Sequence, residues 1–127
     1  MEVTTHRGQG PLQQVIEIGP HRLLTDVAPE FGGEGSGPEP HDLLAAALAA
    51  CTTLTVNLYA KRKGWLLDEV QVSIRHGQEG AAYALHRSIR YLGALSEEEK
   101  QRLTDIANKC PVHKTLSGQI QITTEAV

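Results

Sequence analysis

Apolar and polar residues alternate with a period of two through the first part of the chain, over Val3 to Arg7, Leu12 to Ile18 and His21 to Val27. Gly8-Gln9-Gly10-Pro11 and Gly19-Pro20 separate these runs, so the pattern predicts three strands in a small β-meander. "EFGGEGSGPEP" then reads as a loop. Pro40 can open a helix, because its missing N–H falls where the first turn has no partner to bond. That helix is predicted from about Pro40 to Arg62, stopping at Gly64. Its early portion, "LLAAALAAC", is apolar on every face, which predicts a helix buried all round. Its alanines also let other backbones come close.

Alternation returns in "LDEVQVSIRH" and "YALHRSIRYL", predicted as two strands of a hairpin turning at Gly77 to Gly80. In "SEEEKQRLTDIANK", Ser96 followed three residues later by Glu99 forms a capping box, with acids in the first turn. Proline drives the preceding residue out of helical space, so this helix should end near Lys109, and Pro111 can open a second, short helix over "PVHKTL". The final "GQIQITTEAV" alternates again and predicts a closing strand. Together these elements define an α+β class with a central helix.

The chain has 127 residues, 40% of them apolar, enough for one domain with its own core. The formal charge is −3, and the one short basic cluster, Lys61-Arg62-Lys63, is too small for a nucleic-acid footprint. No charged and apolar leader opens the chain. The longest unbroken apolar run, Leu43 to Cys51, is too short to span a bilayer, so the expectation is a cytoplasmic protein with no membrane or nucleic-acid partner. In a reducing compartment its two cysteines should be inert thiols, metal ligands or redox-active groups rather than a permanent bridge.

Cys110 falls at the N-cap of "PVHKTL", where free N–H groups, the helix dipole, Lys109 and Lys114 favour a thiolate. The alternative is a small residue filling a helix corner. Cys51 lies at the end of the apolar run, where burial alone would leave it inert, so it becomes a nucleophile only if a cation reaches it. Arginine suits that role because it stays charged when desolvated, and Arg7, Arg22, Arg75, Arg87 and Arg90 are the candidates. A zinc site is a third reading: Cys110-x-x-His113 is a half-site that His41 and Cys51 could complete. On a straight helix, however, His41 and Cys51 stand roughly 15 Å apart, too far to share an ion. Asp42, in the first helical turn, reads as a cap to the helix dipole.

"GPEPHDLLAAALAACTTLTVNLYAKRKGW" and "CPVHKTL", in that order and with β-rich flanks, resemble the OsmC/Ohr family, the osmotically induced protein C and organic hydroperoxide resistance proteins. The resemblance covers nearly the whole chain. It implies an OsmC-like fold: antiparallel sheets wrapped around long central helices in an intertwined homodimer, with sites at the dimer interface. It also implies a thiol peroxidase that reduces organic hydroperoxides to alcohols without metal or haem cofactor, in oxidative-stress defence. Carried over by motif, Cys51 is the peroxidatic cysteine and Cys110 the resolving one. They would cycle through a sulfenic acid and a disulfide reduced by a lipoyl-type or other dithiol donor. The family's orienting glutamate corresponds to His41 here, with Asp42 beside it, and Arg7 in "HRGQG" is the nearest equivalent of its active-site arginine. A rival reading keeps the fold but makes it a non-catalytic protein binding an apolar or acyl ligand at the interface.

Overall fold

The structure, a computed structural model, describes residues 1–127. The chain packs as two compact units, Met1–Leu44 and Ala45–Val127. In the first unit, β1 (Val3–Arg7), β2 (Gln14–Ile18) and β3 (His21–Thr25) form the expected antiparallel meander in the order β1-β2-β3. β2 starts two residues later than the alternation suggested. β3 stops at Thr25 because Asp26 turns away into the glycine-rich loop. There its carboxylate accepts the N–H groups of Val27 (2.8 Å), Glu34 (3.2 Å) and Ser36 (3.0 Å) and the Ser36 hydroxyl (2.6 Å). Backbone donors that no sheet could satisfy are thereby paired. These bonds favour the charged form and hold the Asp26 carboxyl down at about 2.

Helix α1 (Pro40–Lys63) begins in the first unit, continues into the second and ends at Gly64, whose φ of 70° only glycine adopts without strain. In length and composition it could cross a bilayer, yet it packs as a core helix. Its buried residues are Ala45, Leu48, Thr52, Val56 and Ala60, one stripe at helical spacing, while Leu54 and Leu58 are 63% and 60% exposed. Within the one chain only this stripe is covered, and the other faces of α1, expected to be buried, are exposed.

The second unit pairs α1 with a long antiparallel hairpin, β4 (Leu66–Glu79) and β5 (Ala82–Ala94). The turn sits at Gly80-Ala81 rather than at Gly77–Gly80. Gly77 pairs with Ala84 inside the ladder, and Gly80 with φ of 60° opens a two-residue loop whose twist matches the strands. A bulge between Leu67 and Glu69 shifts the phase of β4, so that Leu67 and Val70 both face inward. α2 (Glu97–Ala107) carries the capping box: Ser96 Oγ accepts the Glu99 N–H at 3.1 Å, and the Glu99 carboxylate accepts the Ser96 N–H at 2.9 Å. Val56, Ala60, Val70, Leu103 and Ala107 form the buried core of this unit, with Tyr59, Trp65, Ile89 and Tyr91 packed against it. α3 (Pro111–Ser117) follows with Cys110 as its N-cap. The predicted C-terminal strand does not form: residues 119–127 carry no regular structure, and Ile120 and Ile122 are 55% and 84% exposed. Alternation makes a strand only where a sheet edge pairs with it, and this chain pairs none of its own edges with that segment.

Candidate functional site

The second unit brings the two thiols together. Cys51 sits midway along α1, half-buried, on the turn that also carries the fully buried Thr52. Cys110 is fully buried at the start of α3, where proline fixes the exit from α2 and the sulfur accepts the His113 N–H at 3.4 Å. The hydroxyl of Thr52, the residue next to Cys51, lies 3.9 Å from the Cys110 sulfur. The Cys51 sulfur accepts the Val112 N–H at 3.5 Å and lies 3.9 Å from the Thr55 hydroxyl. Neither thiol is in a disulfide.

The arginine whose charge reaches Cys51 is Arg87. Residues Tyr83, Leu85, Arg87, Ile89 and Tyr91 of β5 share the inward phase, so Arg87 is an arginine in a row of otherwise largely apolar positions. Its Nη1 donates to Thr52 Oγ1 at 2.9 Å, and its Nη2 donates to Asn108 Oδ1 at 2.9 Å and to His113 Nδ1 at 3.0 Å. All three acceptors are uncharged, so no carboxylate offsets the guanidinium.

Desolvation pushes the Cys51 thiol up. The Val112 N–H, the Cys110 thiol, the Thr55 hydroxyl and the Arg87 charge together outweigh it, leaving Cys51 below its ordinary value. Cys51 is thus held low by its neighbours. Beside Arg87 lies a cavity of about 310 Å³ lined by Leu48, Leu85, His86, Arg87, Asn108 and His113. A larger open groove around Tyr59, Trp65 and Arg102 contains neither thiol.

The other predicted site residues lie in the first unit. Arg7 ends β1, exposed and opposite Gln14. His41 is exposed in the first turn of α1, and Asp42 accepts the Glu39 N–H at 3.0 Å, a cap of the kind expected. Arg22, another candidate cation, pairs with Glu17 at 3.3 Å. Nowhere do three or more His, Cys, Asp or Glu side chains converge to hold a metal ion, and the His113 ring faces Arg87. Sequence reasoning placed Arg87 among five candidates but did not single it out. The clue was an arginine in the apolar phase of a strand, a break in pattern of the kind that functional sites produce. Thr52 and Asn108 carried no comparable clue.

The antiparallel sheets and helices form an OsmC-type scaffold, with Cys51 half-buried and Cys110 buried in its second unit. Residues 33–125 match the OsmC-like protein family, and the chain belongs to that family. Comparison with curated proteins gives no match. Among solved structures, the chain is similar to an OsmC-like protein from Mycoplasma pneumoniae (22% identity, 92% of this chain and 86% of that one, TM-score 0.77). It is similar to an organic hydroperoxide resistance protein OsmC from Legionella pneumophila (23% identity, 92% and 88%, TM-score 0.68). It is also similar to an organic hydroperoxide resistance protein from Elizabethkingia anophelis (22% identity, 94% and 89%, TM-score 0.68). At these identities the likeness shows the shared fold.

Proposed function

We propose that the protein is a cysteine-based peroxidase that reduces organic hydroperoxides to alcohols, acting as a homodimer in the cytoplasm. The observation that carries this reading is that both sulfurs meet the first turn of α3, Cys51 accepting the Val112 N–H and Cys110 the His113 N–H, with Cys51 held below its ordinary pKa near an arginine that no carboxylate neutralises. Relatives named for organic hydroperoxide resistance support it. Cys51 is the attacking sulfur because it is the more exposed and the more acidic than usual, and Cys110 resolves from its buried position.

In the first step the Cys51 thiolate attacks the terminal oxygen of the hydroperoxide. An S–O bond forms as the O–O bond breaks, sulfur is oxidised to a sulfenic acid, and the departing alkoxide takes a proton to leave as the alcohol. Arg87 stabilises the thiolate beforehand and the negative charge that develops on oxygen. The Cys110 thiol then condenses with the sulfenic acid, forming the disulfide and releasing water. An external dithiol, of lipoyl or similar type, reduces the disulfide by thiol exchange and is itself oxidised. Leu48 and Leu85 in the cavity beside Arg87 suit an apolar alkyl group. Arg87 takes the activating role in this reading, in place of Arg7, and the two are distinguished by mutation. The exposed Leu54 and Leu58 on α1 support the dimer, since a second copy would cover them.

The test is mass-spectrometric thiol counting after one equivalent of cumene hydroperoxide. Wild type should lose both thiols to a Cys51–Cys110 disulfide, Cys110→Ser should stop at sulfenic acid, and Cys51→Ser should not react. Survival of both thiols in excess peroxide would remove the peroxidase reading and leave a protein that binds an apolar or acyl ligand.

A further inference from the structure

Arginine carries only hydrogen-bond donors and keeps its charge throughout the accessible pH range. The 3.0 Å contact between Arg87 Nη2 and His113 Nδ1 therefore fixes the state of the imidazole: Nδ1 must present its lone pair, so the ring is neutral with its hydrogen on Nε2. Of the three groups that hold the guanidinium, Thr52 and Asn108 do not titrate. His113 does, and protonation would point an N–H and a positive charge at another cation.

We propose that His113 is a positioning residue that fixes Arg87 beside the Cys51 thiol, and that protonation of its ring releases the guanidinium and slows that thiol. This rests on the reading of Cys51 as the nucleophile.

The surroundings leave His113 as the group that responds. From β5, Tyr83, His86 and Arg87 line the cavities on either side of the ring. Tyr83 is bonded to His76 at 2.6 Å and His86 to Glu79 at 2.7 Å, so each has a partner of its own. From α1 the wall is Leu48, with Cys51 and Thr52 one turn on, and from the end of α2 it is the neutral Asn108. On its own helix His113 neighbours Lys114, and its amide binds the Cys110 sulfur. No carboxylate lines either cavity, so nothing there would hold a protonated ring and the guanidinium together. Because the bond to Cys110 comes from the backbone, exchanging the side chain at 113 leaves it in place. A carboxylate partner would have held Arg87 at any pH above its own titration but would also have neutralised it. Neutral acceptors leave the charge available to an anion, and one of the three makes the arrangement pH-sensitive.

The experiment measures the rate of Cys51 alkylation by iodoacetamide, resolved from Cys110 by peptide mass spectrometry, across the range from about pH 5 to 8 in which histidines change charge. Wild type should show a rate that rises with pH more steeply than a single thiol ionisation allows. His113→Asn, which keeps an acceptor near the Nδ1 position but cannot titrate, should keep the wild-type rate near neutrality and show a single-ionisation slope. His113→Leu, which leaves the guanidinium one acceptor short, should react about tenfold more slowly near neutrality. Identical pH profiles for wild type and His113→Asn would overturn the proposal, as would a wild-type rate in His113→Leu. Iodoacetamide reads the thiolate without any peroxide. A His113-dependent profile in a protein inert to hydroperoxides would therefore sustain this inference while removing the peroxidase reading.

Discussion

At the scale of single residues, a thiol becomes useful only when the charges and donors around it outweigh the desolvation that burial imposes. Cys51 receives the Val112 N–H, the neighbouring Thr55 hydroxyl and the charge of Arg87. Arg87→Met removes the charge that would stabilise the thiolate and the negative charge developing on the peroxide oxygen, so it is expected to slow Cys51 oxidation by hydroperoxide about tenfold or more at neutral pH. Arg7→Met, made in parallel, should leave the rate within about twofold of wild type. Stopped-flow kinetics with cumene hydroperoxide would decide between them, and the opposite ranking would return the activating role to Arg7. Both cysteines were legible as candidates from their flanking residues. Arg87 was only one of five arginines, because a strand pattern says which face a residue occupies and not which helix lies opposite.

Elements follow their local chemistry more closely. Ser96→Ala removes one half of the capping box and should cost about 1 kcal/mol of stability, measurable by urea denaturation as a lower midpoint with an unchanged slope. In the first unit the loop after β3 depends on a charged Asp26. Its folded-state pKa of about 2 lies below the ordinary 3.8, so the loop's stabilisation is fully present above about pH 4 and is lost as pH falls towards 2. Hydrogen exchange at Glu34 and Ser36 should accelerate over that window. Asp26→Asn, which presents donors where those N–H groups need an acceptor, should accelerate it at neutral pH as well. The meander, the long helix, the capping box and the Cys110 N-cap all follow from short-range rules that the sequence carries openly. The hairpin turn did not, because Gly77 reads as a turn former while the ladder simply continues through it to Glu79.

For the whole molecule, the buried core of the second unit centres on Leu103, which is fully enclosed. Leu103→Ala should destabilise it by about 2–5 kcal/mol, seen as a lower melting temperature. The chain itself leaves the leucines of α1 exposed and the alternating residues 119–127 unpaired. Light scattering at micromolar concentration should report a dimer. Leu58→Glu, a charge on the uncovered face of α1, should shift it towards monomer, and a monomeric wild type would remove the dimer from the proposed function.

The sequence by itself determined the α+β class, the order and most boundaries of the elements, the N-cap position of Cys110 and the motif pair that marks the family. Those features depend on spacing, capping and turn chemistry within a few residues. The tertiary structure alone decided that both sulfurs meet the first turn of α3, that the charge of Arg87 reaches Cys51, and that Thr52, Asn108 and His113 bond the guanidinium. Those contacts join α1, β5, the end of α2 and α3 across long separations in the chain, where no local period or propensity relates one residue to another.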